Sequence, residues 1–164
     1  MSAIFPGRYT AQIDGPFVLF LIGMRVNRLH RVDRWLPVFR AMRPMLTELY
    51  ANPQLGLLHA HTALTWRGVF LVQYWRSFDQ LVNFAHARDA AHLPAWAAFN
   101  RSIGADGTVG VWHETYQVAA GAYEGITVNM PRWGLQVAGQ HLPATGRLQG
   151  ARGRMGQSAE PSQP

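Results

Sequence analysis

The stretch LGLLHAHTALTWRGVFLVQYWRS, residues 55–77, decides how the chain is read. Its two halves are rich in apolar, aromatic and β-branched residues, and between them TWRG ends on Gly68, the residue type that closes a tight turn. This predicts two adjacent antiparallel strands. Working outward, Phe17–Asn27 reads as a buried strand on the N-terminal side. After it, VDRWLPVFRAMRPMLTELY places Trp35, Val38, Phe39, Met42, Leu46 and Leu49 at helical spacing, with Asp33 as its cap, a kink at Pro44 and a stop at Asn52–Pro53. On the C-terminal side, Ser77 and Asp79 introduce a helix over FDQLVNFAHA, and DAAHLPAWAAFNRSI continues helically to Gly104. Asp106–Gly107 then turns the chain into VGVWHETYQV, residues 109–118, a fourth strand.

The order β-α-β-β-α-β predicts an α+β, ferredoxin-like fold, an antiparallel sheet with helices on one face. Its strands are too apolar for the other face to stay wet, so a homodimer packed sheet to sheet is expected. Residues 5–140 are assigned to this domain, with AYEGITVNMP as a further extended segment. The Gly/Ser/Gln/Pro-rich end from Ala144 to Pro164, carrying Arg147, Arg152 and Arg154, is assigned to a disordered tail.

Several functions are excluded or left without support. The chain has no cysteine, which removes disulfides, thiolate metal sites and cysteine nucleophiles. G-x-G-x-x-G, P-loop, G-x-S-x-G and H-E-x-x-H patterns are absent. The net charge of +6 comes from arginine alone. With part of it in the tail and the rest explained by a solvated helix face, no nucleic-acid partner is expected. Phe17–Met24, the most apolar run, is far shorter than the ~20 residues a bilayer requires. Asp14–Gly15–Pro16 precedes it where a signal peptide would be basic. A soluble, cytoplasmic protein without a membrane partner is the expectation.

Strand alternation sorts the polar residues by face. Val111, His113, Thr115 and Gln117 share one side of the fourth strand; Trp112, Glu114 and Tyr116 share the other. Grouping these with Gly23, Arg25 and Asn27, and with Gln73 and Trp75, predicts a pocket face holding Arg25, Gln73, Trp75 and His113, with Glu114 and Tyr116 turned to the helices. The competing reading is that they are strand ends meeting solvent. His86 and His92 lie six apart across a helix break, and each is either a surface imidazole or a proton shuttle aimed into a cavity. His59 and His61 are spaced for two metal ligands, but no acidic residue of that strand completes a site.

YWRSFDQLVNFAHARDAAHLPAW, residues 74–96, resembles the strand–helix piece of the antibiotic-biosynthesis-type monooxygenases. FLIGMRVN, VQYWRS, AWAAFNR, VGVWHETYQV and YEGITVNMPRWGL are similar to a bacterial family linked to the fungal monooxygenase of fumagillin biosynthesis. The resemblance implies a dimeric α+β barrel acting on a small hydrophobic metabolite, with molecular oxygen, in secondary metabolism. By likeness to cofactor-independent members, no organic cofactor is needed. His113 or His92 would then be the base, Arg25 the partner of an oxyanion, and Trp75, Trp96 and Trp112 the walls, with Gln73, Asn27, Tyr116 and Glu114 as further substrate contacts. The superfamily also holds haem-degrading enzymes, aldoxime dehydratases and proteins that only bind a ligand. For haem, Asn27, Trp75 and His86 are similar in kind to the Asn, Trp and His of the degrading enzymes, with His86 as the candidate haem-binding residue.

Overall fold

A computed structural model describes residues 3–86, 103 and 106–156. Its elements run β1 (Phe5–Gln12), β2 (Phe17–Val26), α1 (Val32–Ala51), β3 (Leu57–Thr65), β4 (Gly68–Trp75), α2 (Phe78–His86), β5 (Val109–Val118), β6 (Thr127–Met130), α3 (Leu135–Ala138), β7 (Gln140–Pro143) and α4 (Ala151–Arg154). They form two compact units, Val18–Tyr116 and Met1–Phe17 with Gln117–Pro164.

In the first unit the strands lie in the order β3-β4-β2-β5, with β3–β4 and β2–β4 antiparallel. Combined with the chain order β2-α1-β3-β4-α2-β5, this is the ferredoxin-like topology: each helix carries the chain past one intervening strand. Glycine is required at Gly68, since a β-carbon there would collide with the Met24 carbonyl of the neighbouring strand. Val38, Met45 and Leu49, spaced seven and four apart, are the buried face of α1. Pro37 and Pro44 are exposed, so the carbonyls each proline leaves unbonded four residues back face water and the helix survives both. Asp33 makes no N-cap bond; it pairs with Arg31 at 2.9 Å inside the first turn. Two apolar clusters fill the space under the helices, one around Leu49, Trp75 and Leu81, the other around Met24, Val38 and Val109, where Ile103 also packs. Strand β3 is an edge, and the Tyr50 hydroxyl closes it, accepting from the Ala60 N–H and donating to the Ala60 carbonyl, both at 2.9 Å.

In the second unit the order is β6-β1-β7, both pairings antiparallel. The extended segment after Ala122 therefore supplies β6 to a sheet of its own, not a fifth strand to the larger sheet. Strand β1 escapes the sequence reading because Pro6–Gly7 breaks its alternation; the pairing slips there, and the Gly7 N–H goes to the Asn129 side chain at 2.9 Å. The stretch assigned to the tail from Ala144 holds, through residue 156, a 3₁₀ turn (Gly146–Gln149) and α4. Arg154 anchors it, donating to Glu124 at 2.7 Å and to the Leu148 and Gln149 carbonyls. Polar anchoring of this kind leaves no apolar periodicity to read.

Candidate functional site

Cross-strand register decides which side chains share a face. Val18 is paired with Trp75, Phe20 with Gln73 and Ile22 with Leu71, so even positions of β2 and odd positions of β4 point to the helices. Between them and the helices lies a cleft of about 80 Å³. Phe20 and Ile22 form its sheet side; Met42, Met45 and Leu46 of α1, and Phe84 and Ala85 of α2, form its helix side. A smaller void of about 20 Å³ shares Ile22 and Met42 with it.

Among the described residues the polar groups of the cleft wall are Gln73 and Trp75, 4% and 1% exposed. The Trp75 indole N–H donates to the Gln73 carboxamide oxygen at 2.8 Å. An indole nitrogen can only donate, so this bond fixes which way the amide points and turns its NH₂ group away from the indole. His113 belongs to the same face: its ring lies 5.7 Å from that of Phe20, the cross-strand partner of Gln73. The imidazole is exposed, on the edge strand. Sequence reasoning grouped Gln73, Trp75 and His113 on one face, read Met42 as part of the helix's apolar spacing and left Met45 unread; the pair Met42 and Met45, beside Leu46, was the available signal for an adaptable wall.

Arg25 is on the opposite face. It is paired with Gly68, two residues from Gly23, whose missing side chain leaves room for the Trp112 indole. A β-carbon at Gly23 would sit 2.6 Å from the Trp112 Nε1, and Phe70 flanks the same indole at 6.2 Å. Glu114 and Tyr116 alternate with Trp112 on this side, turned away from the helices and not toward them. The Tyr116 hydroxyl donates to the Glu114 carboxylate at 2.5 Å, which pushes the phenol pKa up. Glu114 thus has Tyr116 as its hydrogen-bond partner. His59, His61 and Tyr74 share the same face, with His59–Tyr74 ring centres 6.5 Å apart. Burial lowers the pKa of both imidazoles, and His61 adds to the effect on His59.

Of the remaining predicted residues, Asn27 and His86 do not join the cleft. Asn27 lies beyond the end of β2 and donates to the Gly107 carbonyl at 3.1 Å, whereas Trp75 pairs near that strand's start. Nine residues of strand separate them, roughly 30 Å. His86 is exposed at the end of α2, its Nδ1 2.9 Å from the Val82 carbonyl. Asn27 and Trp75 are therefore too far apart to belong to one constellation with His86. His92 and Trp96 lie outside the described residues. Among the described residues no three His, Asp or Glu side chains gather as metal ligands, and no helix is long and apolar enough to cross a membrane.

A family model for monooxygenase af470-like proteins matches residues 17–135. Monooxygenase af470 of Aspergillus fumigatus is 27% identical over 154 residues, covering 79% of this chain and 53% of that protein. The chain thus spans about half the length of this curated relative. Among solved structures, an aldoxime dehydratase in complex with butyraldoxime superposes with a TM-score of 0.64 at 16% identity, over 82% of this chain and 40% of the other, a likeness of fold. SnoaB, a cofactor-independent oxygenase from Streptomyces nogalater, gives a TM-score of 0.44 at 11% identity, over 61% of this chain and 90% of the other. By the match over 17–135, the chain belongs to the monooxygenase af470-like family.

Proposed function

We propose that the chain is a monooxygenase-like enzyme that takes a small hydrophobic metabolite into the cleft under α1 and α2 and oxidises it with molecular oxygen, without a dedicated organic cofactor. The observation that carries this reading is an apolar cleft whose polar wall groups are a preoriented amide and indole, Gln73 and Trp75, in a chain of this family. In this reading His113, beside Phe20, removes a proton from an activated CH₂ of the substrate. The carbanion passes electrons to oxygen. One oxygen atom stays on that carbon as C=O and the other leaves as water with the two hydrogens. The Gln73 NH₂ donates to the oxyanion that develops, the role first sought in Arg25, which faces the other way.

A second copy of the chain is the proposed cover for the sheet face that carries Trp112 and Tyr116, 41% and 48% exposed. A well-folded monomer in sedimentation at micromolar concentration would contradict that part.

Native mass spectrometry of the purified chain, followed by oxygen uptake with the extracted ligand, tests the enzyme reading. The expected result is a bound apolar metabolite that drives oxygen consumption, and its exclusion by Ala85→Trp at the cleft wall. A bound molecule that consumes no oxygen would make the protein a binding module instead.

A further inference from the structure

One end of the four-stranded sheet has a surface that neither the cleft nor the core explains. The end of β2, the β3–β4 turn and the start of β5 meet there: Val26 N–H bonds the Arg67 carbonyl at 2.7 Å, and Asn27 N–H the Thr108 carbonyl at 2.9 Å. Apolar side chains stand out into solvent, Trp66 89% exposed, Leu64 82%, Leu29 54% and Val32 46%. The turn that presents Trp66 is held firmly. Arg67 takes a left-handed conformation, φ 72°, and its guanidinium donates to the Asn27 carbonyl at 2.5 Å.

The charge of this end is strongly one-sided. Arg28, Arg31 and Arg34 belong to it, beside Arg67, whose guanidinium is already bonded to the Asn27 carbonyl. The acids among the described residues there are Asp33, paired with Arg31 at 2.9 Å and with Arg34 at 3.6 Å, and Asp106, whose carboxylate accepts the Thr108 N–H at 2.9 Å. We infer that this end of the sheet docks on an anionic lipid surface, with Trp66, Leu64, Leu29 and Val32 entering the headgroup boundary and the arginines meeting lipid phosphates and carboxylates. Indole is suited to that boundary, with an apolar body and a polar N–H. A nucleic acid would also meet the arginines and stack on Trp66, but it offers nothing to Leu64, Leu29 and Val32, and those three favour lipid. Such contact is peripheral and requires no spanning helix.

The test is co-sedimentation of the full chain with vesicles of phosphatidylcholine containing about one third phosphatidylserine, beside pure phosphatidylcholine. Binding is expected to the anionic vesicles, and added salt should release it. Trp66→Ser should weaken it about tenfold and Arg28→Gln about fivefold, from typical apolar-burial and per-charge contributions, with far-UV circular dichroism unchanged because both side chains are exposed. Absence of binding, equal binding to neutral vesicles, or a Trp66→Ser variant that binds as well as the parent would overturn the inference. So would single-stranded DNA that competes with the vesicles and itself depends on Trp66, which would identify a polynucleotide as the partner.

Discussion

The two faces of the four-stranded sheet are built from different chemistry. Under the helices lie aliphatic, thioether and phenyl groups with one buried amide–indole pair and the His113 imidazole at the edge; on the other side lie two imidazoles, phenols, an indole and an arginine. A catalogue of reactive side chains would place the active site on the second face. Geometry favours the first, because there, among the described residues, Gln73 and Trp75 are desolvated and held in one orientation with His113 at the exposed edge, whereas Glu114 and Tyr116 are both exposed and satisfy each other.

Breaking the buried pair should produce the largest effect. Trp75→Ala removes a side chain 1% exposed and is expected to destabilise the fold by roughly 3–5 kcal/mol in urea titration. Gln73→Leu keeps the volume but strands the indole N–H, and should cost about 1–3 kcal/mol. If it costs nothing, the pair does not organise the cleft.

The other face is sharpened by pH. His59 and His61 have folded pKa values below the ordinary imidazole value because burial penalises their cations. The unfolded chain binds those protons more readily. Their contribution to stability is therefore fully present above the unfolded pKa, near ~6.5, and is lost as pH falls from there through the lower folded values. Melting temperature should drop on acidification through that window, and His59→Gln with His61→Gln should flatten the slope. Tyr116→Phe, at an exposed pair, should leave the urea unfolding midpoint essentially where it was.

Alternation within each strand was legible: His113 does lie opposite Glu114, and Gln73 does share a side with Trp75. What alternation cannot supply is the register between strands, and a one-residue change of register carries every side chain to the other face. Pairing Phe20 with Gln73 moved Arg25 away from the set while leaving Gln73, Trp75 and His113 together. The ferredoxin-like order was legible for the opposite reason, since it depends on the sequence of strand and helix periods and not on register. The smaller sheet was hidden because Pro6–Gly7 interrupts the alternation of β1 and because β6 and β7 span only four residues each, too few for a period to show.

His113 and Glu114 are chain neighbours on opposite faces, both exposed, so replacing either should leave the fold intact and report on its face alone. The direct test is oxygen uptake with the co-purified ligand for His113→Ala beside Glu114→Gln, each at unchanged melting temperature. The cleft account predicts a loss of about a hundredfold or more for the histidine variant, the usual scale for removing a general base, and parent-like uptake for the glutamine variant. Full activity in His113→Ala with its loss in Glu114→Gln would contradict the account and move the site to the face of Glu114 and Tyr116.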